Sequence, residues 1–211
     1  MRKLLCCAAL AAVLAGCTAG PVPPPATTTA TPVPTTSAPA TSNGQVFGPG
    51  CSRLPQGDVP GSLATMARQP VATALGANPP LSQLGSIIGA AGLAATLDQQ
   101  QSVTVFAPDD AAFEEVRVAL GPERYAAMLA DSHAVTNVLA LHVVGTRYDA
   151  AGLQSAKTVH SLTGAELTIG GTAQAPTVTD PQGTTAKVLC GNIPTANATV
   201  FVIDKVLMPK V

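Results

Sequence analysis

Residues 18–50 contain no charged side chain and consist largely of proline, threonine and alanine. Such a segment cannot bury enough apolar surface to offset the entropy lost on ordering. Its proline content favours an extended polyproline conformation of about 3.1 Å per residue, so the segment could span roughly 90 Å. We therefore expect a disordered stalk over residues 17–48. Threonine–proline tracts are also typical of O-glycosylated stalks, and an unmodified linker is the alternative.

The first 16 residues have the organisation of an export signal. Arg2 and Lys3 precede an apolar run that is too short to span a bilayer comfortably. The run ends in Leu-Ala-Gly-Cys, which resembles the bacterial lipobox, where the cysteine receives lipid and becomes the mature N-terminus. Ordinary signal cleavage requires a small residue where Leu14 stands. We predict a signal peptide over 1–16 and lipidation of Cys17, which would anchor the protein to the outer face of the plasma membrane; a shed or secreted form is left open.

The rest of the chain has the composition of one globular domain with an aliphatic core. It belongs to a protein that is 46% hydrophobic but only 3% aromatic, with no tryptophan. The net charge of −1 and the lack of a basic stripe argue against a nucleic-acid binder. We expect an N-terminal extension over 49–69, tied down by Cys51, and the main domain over 70–211.

Hydrophobic spacing predicts helices in the first half of this domain and strands in the second, which favours an α+β fold. A short strand ends at Pro108, and after it the pattern changes to that of helices. The predicted helices are 62–75, 81–97, 109–118, 122–130 and 132–141. Five β-branched runs follow, KTVHSL, AELTIG, PTVTD, TAKVL and TVFVIDKVLM, separated by turn residues.

Two cysteines remain once the signal is removed and Cys17 carries lipid. Cys51 and Cys190 form a single pair in an oxidising compartment, so the sequence predicts a disulfide between them. Metal ligation is the alternative, but the paired Cys-x-x-Cys spacing typical of metal sites is missing.

Asp109 and Asp110 stand side by side where the strand gives way to a helix. Asp109 occupies an N-cap position, from which its carboxylate can accept hydrogen bonds from the first helical turn. Asp110 would lie in that turn, where negative charge meets the positive end of the helix dipole. Phe113 is expected to point into the core. These positions predict a helix cap rather than a catalytic or metal-binding pair.

Three stretches resemble the motifs of fasciclin-type domains. TVFAPDDAAF (104–113) is similar to the family's first signature, VLALHVVGTRY (138–148) to its central histidine motif, and NATVFVIDKVLMP (197–209) to its closing strand. With the stalk and the cysteine pair, the chain resembles the mycobacterial surface fasciclin antigens. The resemblance implies helices packed on a wedge of β-strands and a non-catalytic role in adhesion.

The sequence departs from the family pattern at three places. Leu141 precedes His142 where the family usually has tyrosine, and Phe201 stands where a histidine is common. Animal members carry an Asp-Ile dipeptide tied to integrin binding, whereas the matching positions here are Asn192 and Ile193. Because that carboxylate is missing, integrin recognition is not carried over.

The remaining polar residues favour structural roles. His142 is flanked by apolar residues and is expected to be a packed histidine bonded to a backbone carbonyl, with a binding-site role as the alternative. Asp204 interrupts an apolar strand, and the resemblance implies that it accepts bonds that hold a neighbouring loop. Ser132 and His133 lack the context of a hydrolase, and Asp131 or Ser132 reads as a helix cap. The glycosylation sequon at Asn197 is discounted because a lipobox implies a bacterium.

Three functions of different classes follow. The first is a tethered surface module that binds extracellular proteins or glycans. The second is an envelope carrier for an apolar, lipid-like ligand held between helices and sheet, and the third is an enzyme of unrecognised type. We expect the first function, in a monomer without catalytic residues, metal or cofactor. Its expected partners are the membrane, which it contacts through the lipid, and an extracellular protein or glycan.

Overall fold

The computed structural model describes residues 44–210, so the predicted signal peptide, Cys17 and most of the stalk lie outside the described residues. The helices are α1 Leu63–Met66, α2 Val71–Gly76, α3 Ser82–Ala90, α4 Ala94–Asp98, α5 Asp110–Leu120, α6 Pro122–Ala130, α7 Ser132–Leu141 and α8 Ala150–Ala156. The strands are β1 Val103–Pro108, β2 Val143–Val144, β3 Thr158–His160, β4 Glu166–Thr172, β5 Ala175–Thr179, β6 Thr185–Pro194 and β7 Ala198–Ile203. Short 3-10 turns cover Pro49–Arg53 and Pro79–Leu81. Helices precede most of the strands, and the predicted α+β class is confirmed.

The strands form one mixed sheet in the order β2-β1-β7-β6-β5-β4-β3. Only β1 and β7 run parallel among the paired strands of the described region, and they lie side by side in the second and third positions of this order. Every residue of both strands is buried, which explains why all of them except Thr104 and Thr199 are apolar. The two ends of the sheet meet where the Leu162 N–H donates to the Val143 carbonyl at 2.7 Å and Val144 bridges Ser161.

Strands β1 and β7 separate two apolar cores because their side chains alternate between faces. Val105 and Val200 face the helices α2, α3, α5 and α7. Phe106 and Phe201 face the other way, toward α8 and the strands β3 to β6, with ring centroids 5.9 Å apart. Helices therefore cover one side of the sheet, while the sheet curves around the second core.

The two long helices predicted from spacing near the N-terminus are each broken in two. The predicted helix 62–75 is divided into α1 and α2 at Pro70, which cannot donate a backbone hydrogen bond and disfavours helical conformation in the residue before it. The predicted helix 81–97 is divided into α3 and α4 at Gly92, whose φ of +68° lies in the left-handed region. The three helices predicted after Pro108 match α5, α6 and α7 closely.

The folded region begins earlier than the predicted stalk boundary at residue 48. Phe47 exchanges two backbone hydrogen bonds with Gly191 of β6, and Val46 packs against the helical core. Cys51 is joined to Cys190, also of β6, by a disulfide with an S–S distance of 2.03 Å. The Arg53 guanidinium reaches the Asp109 carboxylate at 2.9 Å. The N-terminal extension is thus fixed to β6 and to the start of α5.

Candidate functional site

The adjacent aspartates 109 and 110 cap two different helices. Asp109 is 3% exposed and caps α5, because one carboxylate oxygen accepts from the Ala112 N–H at 3.0 Å while the other binds Arg53. Asp110 lies in the first turn of α5, as the sequence predicts, and it also has a partner outside that helix. Its carboxylate accepts from the Gln83 N–H at 2.9 Å and from the Ser82 hydroxyl at 2.6 Å, at the N-terminus of α3. Both carboxylates are therefore occupied in helix capping.

Phe113 is buried beneath Asp109, on the face of α5 that packs against the sheet. It belongs to the core between helices and sheet, the place that the sequence predicted. The first turn of α5 is therefore held at both ends, by the Asp109 cap and by the buried Phe113 ring.

His142 links the end of α7 to the C-terminal segment. Its Nδ1 lies 2.7 Å from the Val138 carbonyl, and its Nε2 accepts from the Leu207 N–H at 3.0 Å. Because a backbone N–H is only a donor, the ring must be neutral with its proton on Nδ1. Burial is the main cause that lowers the pKa of His142 to about 4, against opposing effects of the Val138 hydrogen bond and of Asp180. His142 is thus a packed histidine with both nitrogens engaged.

Two other carboxylates hold the strands and the C-terminal segment. Asp204 accepts from the Lys187 N–H at 2.7 Å, so it holds strand β6, whereas the family resemblance implies that it holds a loop. The loop role belongs to Asp180, which the sequence did not single out. Its carboxylate accepts from the backbone of Gln182, Thr184 and Met208, each at 2.9 Å. A carboxylate that accepts three backbone bonds closes the β5–β6 turn onto the C-terminal segment.

An apolar groove runs between α3 on one side and α6 and α7 on the other. Three adjoining depressions share Ile87 and Leu129 in their linings, so they form one continuous feature, which we call the Ile87–Leu129 groove. Leu129 is 37% exposed and lines all three depressions. Val135 and Tyr125 complete its walls.

The depth of the groove limits what it can hold. Its most enclosed part, next to Phe113 and His142, has a volume of about 20 Å³. Its open parts have volumes of about 350 and 220 Å³. A small-molecule site usually encloses roughly 300–1,000 Å³ and buries most of its ligand. The enclosed part is far below this range, and the part that reaches it is open to solvent, so the groove suits apolar side chains laid on its surface better than a molecule enclosed between helices and sheet.

The described part of the chain has neither a cluster of metal ligands nor a helix that could span a membrane. Over residues 44–210, His, Cys, Asp and Glu side chains nowhere gather in threes as they would around a metal ion. In the same residues, every helix is too short or too polar to cross a bilayer.

A family model of the fasciclin domain matches residues 79–209. This range contains the three motifs, the groove and His142. The chain belongs to the fasciclin domain family. The resemblance drawn from the three motifs is thereby confirmed.

Mycobacterial cell surface glycolipoproteins and an immunogenic protein share most of the length of this fasciclin chain. The cell surface glycolipoproteins MPB83 of Mycobacterium bovis and MPT83 of Mycobacterium tuberculosis are 37% identical over 213 residues, covering 94% of this chain and 90% of theirs. The immunogenic protein MPB70 of Mycobacterium bovis is 34% identical over 180 residues, covering 81% of this chain and 86% of its own. The chain is thus related to mycobacterial cell-surface antigens.

Among solved structures, the FAS1 domain pair from the insect cell adhesion molecule fasciclin I has the same fold as this fasciclin domain. The TM-score is 0.60 at 16% sequence identity, with 66% of this chain and 51% of that one covered. The chain spans about half the length of the insect pair. A likeness at this identity concerns the fold alone.

Two of the three departures from the fasciclin pattern, at Phe201 and Asn192, have structural explanations. Phe201 is fully buried against Phe106, so an apolar ring fills the place where a histidine is common in the family. Asn192 adopts a φ of +57°, which asparagine tolerates better than most residues. Its side chain accepts from the Ala150 N–H and donates to the Gln45 carbonyl, so it joins α8 and the N-terminal segment to β6.

Asn197 has a role in the fasciclin domain that its sequon did not suggest. Its side-chain oxygen accepts from the Val71 N–H at 2.8 Å, and its nitrogen lies within hydrogen-bond distance of the carbonyls of Leu97, Asp98 and Gln100. A buried amide in this position is not accessible for glycosylation. The partners lie about a hundred residues or more away in the chain, so local pattern gave no signal of this network.

Proposed function

We propose that this chain is a lipid-anchored, non-enzymatic surface module whose fasciclin domain binds an extracellular protein through the Ile87–Leu129 groove. The lipid on Cys17 and the stalk would hold the domain away from the membrane. The groove supports a protein partner better than a glycan, because burying sugar hydroxyls against aliphatic walls leaves them without hydrogen bonds.

The observation that carries this proposal is the exposed apolar lining of the groove. Leu129 and the half-buried Ile87 leave aliphatic surface in water at the junction of three helices. Burying such surface against a partner contributes roughly 25 cal/mol per Å² of apolar area. Apolar depressions with a polar rim are typical of protein interaction sites.

The same geometry supports a binding role over a catalytic one. A general base needs a nitrogen or oxygen that can reach a substrate proton. The His142 nitrogens are bonded to Val138 and Leu207, and the carboxylates of Asp109 and Asp110 cap helices. The residues that would first attract a catalytic interpretation therefore act in the fold.

The carrier alternative ranks behind the interaction module. A lipid-like ligand held between helices and sheet would need an enclosed apolar cavity. The enclosed part of the groove, at about 20 Å³, has room for about one water molecule. Uptake of an acyl chain would require α3 and α7 to separate.

The anchor is tested by replacing the lipid-bearing residue. The match to the cell surface glycolipoproteins covers 94% of the 211 residues, about 198, and therefore includes Cys17 wherever its ends fall. In mycobacterial cells we expect the parent protein to enter the detergent phase on Triton X-114 partition and Cys17→Ser to move to the aqueous phase. Intact mass spectrometry of the parent should show the added acyl mass. A parent protein of unmodified mass in the aqueous phase would disprove the anchor.

The groove is tested by placing a charge on its exposed wall. We expect Leu129→Glu to weaken saturable binding of residues 18–211 to isolated mycobacterial envelopes by about tenfold or more, equivalent to about 1.4 kcal/mol. Val118→Glu is the matched control, because Val118 is 71% exposed on α5 and does not line the groove. Equal binding of both variants and the parent protein, with unchanged melting temperatures, would contradict the proposal.

A further inference from the structure

Arg147 lies in the loop between β2 and α8, and this loop is held rigidly. The Thr104 hydroxyl donates to the Thr146 carbonyl at 2.8 Å and accepts from the Tyr148 N–H at 2.8 Å. Thr104 is itself fully buried in strand β1. The backbone on either side of Arg147 is therefore hydrogen-bonded to this buried strand.

The side chain of Arg147 is fixed as well. Its Nε donates to the Thr199 hydroxyl at 3.1 Å and its Nη2 donates to the Thr195 carbonyl at 3.1 Å. Both partners are more than nine-tenths buried and belong to the turn and strand that follow β6. Four hydrogen bonds, two to the neighbouring backbone and two from the side chain, thus fix the position of the guanidinium before any ligand binds.

These two bonds use only one edge of the guanidinium. Nε and Nη2 share the side edge of the planar group, and the end edge formed by Nη1 and Nη2 offers a second pair of parallel N–H donors. Within residues 44–210, Nη1 makes no hydrogen bond and no carboxylate oxygen lies within 4.0 Å of Arg147. The end edge has the geometry that binds both oxygens of a carboxylate.

The partners of Arg147 are also neutral, which leaves its positive charge without a counter-ion in the described part of the chain. Burial lowers the pKa of Arg147 because it removes water from the charged form, although arginine remains charged at any physiological pH. Arg53, Arg68 and Arg117 each pair with a carboxylate. A half-buried cation with neutral partners is one whose interaction with an anion is strengthened by the loss of water.

We infer that Arg147 is a binding site for a single carboxylate group, held end-on by Nη1 and Nη2. One positive charge balances one carboxylate, whereas a phosphate dianion would need further cations. The site is separate from the Ile87–Leu129 groove and does not depend on the function proposed for it. Carboxylates reach a surface protein on acidic sugars or on aspartate and glutamate side chains, and the test separates these sources.

The test is an NMR titration of residues 18–211, made without lipid, with glucuronate and with N-acetylglutamate methylamide. Glucose and N-acetylglutamine methylamide are the neutral counterparts of the two probes. We expect one or both acidic probes to shift the Arg147 guanidinium resonances saturably, and the neutral counterparts to leave them unchanged. The probe that binds more tightly identifies the source of the carboxylate.

Variants decide whether Arg147 is responsible. Arg147→Gln removes the charge, and Arg147→Lys keeps it but loses the pair of parallel donors. Each variant should therefore bind the tighter-binding probe about tenfold or more weakly than the parent does. Arg124→Gln, which removes an exposed charge on α6, should leave the affinity unchanged. The inference is overturned if neither acidic probe shifts the guanidinium resonances of the parent protein. It is equally overturned if Arg147→Gln, with a dispersed spectrum, binds as tightly as the parent.

Discussion

Replacing both Cys51 and Cys190 by alanine is expected to lower the free energy of unfolding by up to about 5 kcal/mol. The disulfide joins residues separated by 139 positions, and the chain-entropy model gives about 5 kcal/mol for closing a loop of that size. Single domains are stable by only about 5–15 kcal/mol, so this variant should lie near the threshold of folding. Each kcal/mol corresponds to roughly 2–4 °C in Tm for a domain of this size.

The measurement is urea denaturation of the parent and the double variant, with and without a thiol reductant. The reductant should lower the midpoint of the parent to that of the variant and leave the variant unchanged. The non-covalent contacts of the N-terminal extension, such as Arg53 with Asp109, remain in both proteins. A midpoint that changes by less than the experimental error would show that those contacts alone hold the extension and that the cross-link does not restrict the unfolded chain.

The helices after Pro108 could be predicted because their signals are local. Asp109 caps α5, Gly121 with a φ of +78° separates α5 from α6, and Asp131 caps α7 through the N–H groups of its first turn. Each of these signals acts within a few residues of the helix that it begins or ends. The α+β class and strands β1 and β7 followed from the same kind of pattern.

Interactions across the chain could not be predicted in the same way. Asp110 lies in the first turn of its own helix, but its carboxylate also accepts from the Gln83 N–H of α3, and nothing in the sequence indicated that second contact. The roles of Asn197 and Arg147 depend on partners about 50 to 126 residues away, and a single sequence does not show which elements become neighbours. The Ile87–Leu129 groove has the same origin, since its walls come from helices that meet only in the folded domain.

Stability should fall steeply as the pH is lowered from neutral to about 4, because His142 must be neutral in the folded state. The unfolded histidine has a pKa of about 6.5, and burial lowers the folded pKa to about 4. Between these values the unfolded chain binds a proton that the folded chain does not, so acid favours unfolding. The contribution of His142 is fully present above pH 6.5 and is lost as the pH falls to 4; it amounts to about 3 kcal/mol.

The structural cause of this dependence is the hydrogen bond between Nε2 and the Leu207 N–H. A proton on Nε2 would place two donors against each other and leave a charge buried between α7 and the C-terminal segment. Asp180 holds the next residue, Met208, and its negative charge raises the pKa of His142 only in part. Protonation should therefore loosen the C-terminal segment before the rest of the domain.

Urea denaturation at pH values from 7 to 4 measures this effect, and His142→Gln isolates it. Glutamine can still offer one donor and one acceptor but does not titrate, so the variant should be less stable at pH 7 and should lose less stability on acidification. His160→Gln, which removes an exposed imidazole on β3, is the matched control. The difference in the free energy of unfolding between the parent and His142→Gln should become smaller by about 3 kcal/mol between pH 7 and pH 4. A constant difference across that range would show that His142 does not change its charge on unfolding. The interpretation of His142 as a packed, neutral histidine would then be wrong.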